Sequence, residues 1–441
     1  MVRRALAAVG FAALALAGAA SAGLVDPGGA PGSGPGATGT TSLSGLTGAA
    51  ASGSTPTTVS TPGTTTATAG TTGTTGATTG PATATTTTAA VPVTGTATAS
   101  SAAAVIVVTG HGFGHGMGMG QWGAYGYALH GWSDAQILGH YYPGTTLGHD
   151  PSRPVRVLLA QDVTSVTVAS AAPWHLRDGA GARLRLPAGA LVVPASLRLK
   201  GRKLVSPLTF RPGRAPVEAG ARAYRGSLVV HSSGTTLDLV NTLPLESYVE
   251  GVVADEMPPG WPEAALEAQA IASRSFALAQ IGRAAVGRSF DVYDDGRNQV
   301  YGGIAAETPT VDQAVAATAG QVVLYQGQVA DTLFSSSSGG ETASAADVTG
   351  IAVPYLVAVP DPYDALSPDH DWGPLLLSPA GAGHALGLGG PLQSVELSPG
   401  AGHVASVTAA SADRQVTLTG QQVQADLGLR STFFQVGMVG Q

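Results

Sequence analysis

Apolar and polar positions begin to follow a regular pattern near residue 105. The apolar run at residues 105–108 predicts a buried strand, which leads into a glycine-dense turn at residues 110–120. Residues 121–129 then predict a short helix. Ser133 and Gln136 have the spacing of a capping box and predict a second helix, which would bury Ile137, Leu138 and Tyr141 and end before Pro143-Gly144.

The pattern changes to short alternating runs at residues 154–243, which predicts a predominantly antiparallel β region. A long helix is expected next, with Pro262 in its first turn and an end near Gln280. Strand patterns return at residues 322–325 and 416–418. The predicted class is α+β, rich in antiparallel strands, with one long central helix and two short helices after the glycine-rich turn.

The first hundred residues lack this pattern. Two arginines, an apolar run at residues 5–20 and the triplet Ala20-Ser21-Ala22 predict a signal peptide over residues 1–22, and an uncleaved membrane anchor is the alternative. Residues 23–103 are almost entirely Thr, Gly, Ala, Pro and Ser, which predicts a disordered linker. One domain is predicted over residues 104–441, with parts at 109–148, 154–243, 244–303 and 304–441.

Charge and cysteine content exclude some classes of function. The net charge of −7 and the pI near 5.8 give no sign of a basic stripe, so nucleic acid is not an expected partner. The chain has no cysteine, so its stability must come from packing without disulfides. Beyond the signal segment, no run is long enough to predict a membrane span.

The glycine-rich turn allows three interpretations. Gly118, Gly120 and Gly123 have the spacing of a dinucleotide fingerprint, but no acidic residue lies about 20 positions further on and no repeated βαβ pattern follows. Metal binding would require four histidines to converge, without a helical metal motif. A structural loop is the third interpretation. The histidines concerned are His111, His115, His130 and His140.

A second candidate site is Glu256, which we expect at the edge of a sheet, at a strand-to-helix junction just before the long helix. Apolar neighbours such as Met257 and Trp261 would raise the pKa of a carboxyl in a cleft there, which suits a general acid. An ion pair with Arg274, or an exposed loop acid, is the alternative. The serine-rich segment 335–338 lacks a nucleophile elbow and is better interpreted as a sugar-binding loop or a plain turn.

Taken together, these segments resemble the stage II sporulation protein D family, which includes lytic transglycosylases and amidase enhancers. The resemblance covers most of residues 105–441. The glycine block normally comes last in this family, so its early position here resembles a circular permutation, which predicts that residues 105–108 lie near residues 433–436. The matching segments are residues 110–144, which begin with GHGFGHGMGMGQWG, and residues 243–278, 291–303, 335–344, 354–364, Trp372 and 427–434.

The resemblance also implies roles for residues. The family's catalytic glutamate lies in an E-M-P motif and corresponds to Glu256. Family members with known structure resemble zinc binders through Cys and His, whereas the corresponding segment here has no Cys, so no cofactor is predicted and zinc is disfavoured. That segment offers Asp294, Asp295, Arg297 and Asn298 instead.

The resemblance implies a secreted or cell-wall-associated protein that cleaves peptidoglycan glycan strands to 1,6-anhydromuramoyl ends. The alternative function is a non-catalytic glycan-binding activator of a cell-wall amidase. Candidate residues for holding the glycan are His111, His115, Gln121, Gln269, Ser273, Arg274, Ser337 and Ser338.

Overall fold

The computed structural model describes residues 96–98, 104–151, 153–199, 201–285, 287–400 and 402–439. The predicted signal peptide and most of the predicted linker lie outside these residues. Within them, none of the helices combines the length and the apolar character required to cross a bilayer.

The strands and helices of this part of the chain are numbered in chain order. The strands are β1 Thr96–Thr98, β2 Val105–His111, β3 Met119–Gly120, β4 Thr146–His149, β5 Pro154–Val163, β6 Ser165–Ser170, β7 Trp174–Arg177, β8 Arg183–Leu186, β9 Gly189–Pro194, β10 Arg198–Leu199, β11 Arg202–Lys203, β12 Leu208–Arg211, β13 Val217–Ala219, β14 Arg222–Tyr224, β15 Ser227–Ser232, β16 Leu237–Pro244, β17 Val292–Tyr293, β18 Gln321–Tyr325, β19 Gln328–Val329, β20 Phe334–Ser335, β21 Asp371–Leu377, β22 Ser394–Pro399, β23 Val404–Ala410, β24 Gln415–Thr419 and β25 Phe434–Val439. The helices are α1 Gln121–Leu129, α2 Asp134–Tyr141, α3 Leu245–Glu256, α4 Glu263–Arg283, α5 Pro309–Ala317, α6 Ala345–Thr349, α7 Pro379–Ala385 and α8 Gly420–Leu427, with short 3-10 helices at Gly303–Ala305 and Pro362–Leu366.

The fold is α+β and rich in antiparallel strands, as predicted. The largest sheet has the strand order β17-β5-β16-β15-β12-β7-β8, and a four-stranded sheet, β14-β13-β6-β9, packs against the same hydrophobic core. Most strand pairs are antiparallel, whereas β17 with β5 and β20 with β3 are parallel. The predicted β region at residues 154–243 thus supplies nearly all of the two largest sheets of the main core.

A second hydrophobic cluster lies around the three-stranded sheet β21-β2-β25 and the four-stranded sheet β1-β22-β23-β24, together with α7 and α8. Strand β2 pairs antiparallel with β25, and Val105 lies opposite Val439 while Val108 lies opposite Val436. The predicted proximity of residues 105–108 to residues 433–436 is therefore confirmed. Strand β1 pairs with β22, so the predicted linker contains a strand at its C-terminal end.

Both predicted short helices are present. Ser133 caps α2, and the two hydrogen bonds of the capping box join its side chain and backbone to Gln136. Ile137, Leu138 and Tyr141 are buried, as the periodicity predicts.

The prediction of a single central helix was incomplete. Helix α4 is present and begins after Pro262, but α3 precedes it and occupies the segment that we expected at the edge of a sheet. Helix α3 forms because apolar residues recur at helical spacing and all face the core. These residues are Leu245, Tyr248, Val249, Val252 and Val253.

Candidate functional site

Glu256 is the last residue of α3, not a residue at the edge of a sheet. Met257 follows in an extended conformation and precedes Pro258, which disfavours helical backbone at the residue before it. The helix therefore ends at Glu256. The carboxyl lies at the negative end of the helix dipole, where the ionised form is disfavoured.

Two donors hold the Glu256 carboxyl group. The side-chain amide of Gln121, the first residue of α1, donates to Oε2 across 3.2 Å. The backbone N–H of Val300 donates to Oε1 across 3.1 Å. Because each oxygen accepts one hydrogen bond from a different segment, the orientation of the carboxyl is fixed by the fold. Gln121 therefore lies at Glu256, and its predicted contact with glycan stays a prediction.

Burial raises the pKa of Glu256 to about 7. The hydrogen bonds from Val300 and Gln121 lower this pKa, because both stabilise the ionised form, while the charge of Asp255 raises it further. A carboxyl with a pKa near neutrality has both protonation states available at physiological pH. Such a group can donate a proton in one step of a reaction and accept one in the next.

The neighbouring acids of α3 have different surroundings. Partial burial raises the pKa of Asp255, although the residue is largely exposed, and the charge of Arg222 and a hydrogen bond with the Gly302 backbone oppose this rise. Glu250 lies 3.7 Å from Arg225, which also binds Glu307. Both acids therefore have cationic neighbours, unlike Glu256, whose carboxyl accepts from uncharged donors.

The glycine-rich turn is a packed structural element. Gly118 has a φ of +70°, and a Cβ at this position would lie 2.0 Å from the Leu333 carbonyl oxygen. A Cβ at Gly123 would lie 2.1 Å from Oδ1 of Asp361. The carboxylate of Asp361 thus lies against the first turn of α1, the position that a dinucleotide pyrophosphate would need. This geometry contradicts the dinucleotide interpretation.

The four histidines of this region have separate partners. His130 donates from Nδ1 to the Gly126 carbonyl and stacks on Tyr363, while His140 donates to the Pro360 carbonyl across 2.9 Å. The Met117 N–H donates to Nδ1 of His115, and burial lowers the pKa of His115 to about 4, so this ring is neutral.

His111 is partly exposed and lies beside a surface groove. Its Nδ1 lies 2.6 Å from the exposed carboxylate of Asp371. Both residues line a groove of about 280 Å³ together with Trp372. A contact of His111 with glycan stays a prediction.

Three of the predicted sugar-binding residues are fully buried in α4. The Gln269 amide donates to Ser273 across 3.0 Å. The Arg274 guanidinium forms an ion pair with Glu246 at 2.7 Å and donates to the Gln321 carbonyl. The burial of Gln269, Ser273 and Arg274 argues against the predicted contact with substrate, because all three side chains lie inside the core. Arg274 pairs with Glu246, and the alternative that pairs it with Glu256 is wrong.

Ser337 and Ser338 are also buried and bind internal carboxylates. The Ser337 hydroxyl donates to Asp364 across 2.8 Å, and the Ser338 hydroxyl donates to Asp361 across 2.9 Å. Both carboxylates are fully buried, and burial together with the charge of Asp364 raises the pKa of Asp361 to about 7. The serine segment therefore joins the glycine block to residues 361–364, and its burial argues against a sugar-binding loop.

The residues of the segment 291–303 do not fit a zinc ion. Asp295 forms an ion pair with Arg297 at 2.7 Å, and Asn298 accepts a hydrogen bond from the Tyr293 backbone. These bonds shape the loop that delivers the Val300 N–H to Glu256. Among the described residues, no group of three His, Cys, Asp or Glu side chains is placed to hold a metal.

An aromatic cluster, formed by residues close in sequence to Gln121 and Glu256, joins α1 to the α3–α4 connection. Trp122 directly follows Gln121, and its ring centroid lies 4.9 Å from that of Trp261. Tyr125 lies 4.7 Å from Trp261 and 5.7 Å from Trp122. Trp122 and Tyr125 are three residues apart on a predicted helix, so both lie on one face of it. This spacing is the sequence signal for the cluster.

Comparison with known proteins gives a consistent assignment. Residues 233–325 match the family model described as stage II sporulation protein, SpoIID. The chain is 35% identical over 170 residues to stage II sporulation protein D of Bacillus subtilis. The aligned segment covers 35% of this chain and 50% of that protein. It is 44% identical over 136 residues to an uncharacterized protein of Brachyspira hyodysenteriae, covering 31% and 37% of the two chains.

A third relative is the amidase enhancer of Bacillus subtilis, 36% identical over 116 residues that cover 26% of this chain and 15% of that protein. This chain thus spans at most half the length of these relatives. The matched region contains α3, α4 and Glu256. Through this region the chain matches the stage II sporulation protein D family.

Proposed function

We propose that this protein is a peptidoglycan lytic transglycosylase in which Glu256 is the catalytic acid and base. The observation that carries the proposal is the state of this one carboxyl group. It is largely desolvated, has a pKa of about 7, and is oriented by Gln121 and the Val300 N–H. A role related to the cell wall agrees with the family and with the relative named amidase enhancer.

The proposed reaction begins with protonated Glu256 giving its proton to the glycosidic oxygen of the strand. The bond from that oxygen to the anomeric carbon breaks, and positive charge develops on the muramic acid ring. The ionised carboxylate then accepts the proton of the 6-hydroxyl of the same ring as that oxygen bonds to the anomeric carbon. The product is a 1,6-anhydromuramoyl end, and Glu256 regains its proton.

This route needs only one carboxyl group, because the substrate supplies the nucleophile. Hydrolysis of a glycoside usually needs a second carboxylate to activate water or to attack the sugar. The nearest acids along α3, Asp255 and Glu250, interact with Arg222 and Arg225 respectively. The surroundings of Glu256 therefore favour a one-carboxyl reaction.

The substrate implies a location. Peptidoglycan lies outside the cytoplasmic membrane, and residues 1–22 have the pattern of a signal peptide. We place the protein in the cell envelope or outside the cell. N-terminal sequencing of protein recovered from a culture should begin near Gly23, and recovery of the protein only from the cytoplasm would contradict this location.

The reaction is tested by incubating the purified full chain with glycan strands stripped of stem peptides and analysing the products by mass spectrometry. Products that end in 1,6-anhydromuramic acid are expected. Products with a free reducing end, which carry one additional water, would show hydrolysis and contradict the proposal.

A second candidate function is stimulation of a cell-wall amidase, favoured by the relative named amidase enhancer. The same fold would then bind glycan without cleaving it. If the chain releases no strand fragments but increases the release of stem peptides by an added amidase, this second function is the correct one.

A further inference from the structure

The aromatic cluster of Trp122, Tyr125 and Trp261 has an unusual degree of exposure. All three side chains are partly exposed, although their ring centroids lie 4.7–5.7 Å apart. Trp261 packs against the main core, whereas Trp122 and Tyr125 are not part of that core. Three adjoining aromatic rings that remain open to solvent form a surface suited to binding a ligand.

The cluster is fixed to the same supports as Glu256. Trp122 follows Gln121, and its backbone N–H donates to the Ser336 carbonyl across 3.1 Å. Trp261 lies five residues after Glu256, and its N–H donates to the Pro258 carbonyl across 3.0 Å. Each tryptophan thus has a fixed backbone, and each lies within five residues of Gln121 or Glu256, which are hydrogen-bonded to each other. A ligand on the rings would lie beside Glu256.

We infer that these three rings form a stacking subsite for an N-acetylhexosamine ring of the glycan strand, adjacent to Glu256. A pyranose ring has an apolar C–H face and a polar rim. The aromatic cluster supplies an apolar surface, while the Gln121 amide and the Glu256 carboxyl supply polar groups next to it. Gln121 and Val300 each donate one hydrogen bond to the Glu256 carboxyl, and each carboxyl oxygen can accept a second one from a hydroxyl on the rim of a sugar.

The subsite rests on the proposed function, because it assigns a sugar to the site of Glu256. Packing of α1 against the α3–α4 connection is the competing role for the rings. Buried Ala124 and Tyr127 belong to the main core and already anchor α1 to it. Loss of the Tyr125 ring should therefore affect ligand binding more than folding.

The test uses full-length Glu256→Gln protein, which cannot transfer the proton, and the N-acetylglucosamine tetramer as a soluble probe. Binding is measured by calorimetry and by tryptophan fluorescence. Tyr125→Ala in this background should weaken the affinity by about tenfold, and Trp122→Ala by at least as much. Tyr125→Phe and Trp122→Phe keep a ring and should restore most of the affinity.

The matched control is Tyr325→Ala. Tyr325 is also partly exposed and packs on Tyr355 at 5.1 Å, but it lies in the β18–β19 hairpin. This variant should bind the tetramer as the parent does. Equal affinity in the parent, Tyr125→Ala and Trp122→Ala proteins would overturn the subsite, as would failure of the parent to bind the tetramer.

The outcomes for the subsite and for the proposed reaction are separate. If affinity depends on the rings but wild-type protein forms no anhydromuramoyl ends, the subsite stands and the transglycosylase proposal fails. If anhydromuramoyl ends form while the ring variants bind normally, the subsite fails alone.

Discussion

Gln121 at the start of α1 donates a hydrogen bond to Glu256 at the end of α3, across 3.2 Å and 135 positions of sequence. This bond stabilises the ionised carboxylate and lowers the pKa of Glu256. It thus connects the glycine block to the chemistry of the E-M-P motif.

The first prediction concerns Gln121→Ala. Loss of the donor should raise the pKa of Glu256, so the decline of kcat at high pH should move to higher pH. The maximal rate should fall by about tenfold, because an oriented hydrogen bond to a charged group is lost. Gln136→Ala removes a glutamine from the α2 capping box and should leave the pH profile of kcat unchanged. A Gln121→Ala profile that superimposes on the wild-type profile would contradict this account.

The second prediction separates structural from substrate-binding roles of Arg274. Arg274→Ala leaves Glu246 without its cation and several carbonyls without a donor. The free energy of unfolding, measured in urea, should fall by about 3–5 kcal/mol. Arg297→Ala breaks an exposed ion pair with Asp295 and should cost less than about 1 kcal/mol. An Arg274→Ala protein with wild-type stability and weakened glycan binding would restore the ligand role.

The third prediction uses the buried Asp361. Its pKa rises from 3.8 to about 7 on folding, so the folded state binds the proton more tightly than the unfolded state. The stability that this carboxyl contributes is fully present below about pH 4 and is lost as the pH rises through about 7. The unfolding free energy of wild type should therefore fall between pH 4 and pH 7 by about 1–3 kcal/mol more than that of Asp361→Asn. Parallel stability curves for the two proteins would show that Asp361 does not titrate in this range.

Local sequence signals predicted the elements with their own periodicity and caps. Helix α2 is an example, because Ser133 and Gln136 specify its start without tertiary context. Helix α3 has a comparable apolar periodicity at Leu245, Tyr248 and Val252, but it directly follows β16 without an intervening turn residue, so its start has no sequence signal of its own.

The candidate site is less predictable from sequence, because a polar side chain can be either exposed or buried with a partner. Gln269, Ser273 and Arg274 are buried because α1, α2, α3, α5 and β18 all pack against α4, so several of its faces are covered. Ser337 and Ser338 are buried because Asp364 and Asp361, more than 20 positions away, supply their acceptors. Such long-range pairing leaves no local signal in the sequence.

The fourth prediction concerns the order of segments. Val439 of β25 lies opposite Val105 of β2 in an antiparallel pair, so a short turn can join these two residues as a hairpin. A chain joined in this way and reopened near Arg153, between β4 and β5, should fold. It should retain the activity of the protein with its natural segment order. Circular dichroism and thermal unfolding measure the outcome. An insoluble product, or one without a cooperative unfolding transition, would argue against a circular permutation.

The central claim is that Glu256 transfers the proton. Glu256→Gln keeps the size of the side chain and can still accept from Val300, but it has no transferable proton. Release of 1,6-anhydromuramoyl fragments from stripped glycan strands should fall by about 10² or more, while binding of the N-acetylglucosamine tetramer persists. Glu250→Gln and Asp255→Asn are the matched controls on the same helix and should retain most of the activity. A Glu256→Gln protein that releases these fragments at the wild-type rate would contradict the account.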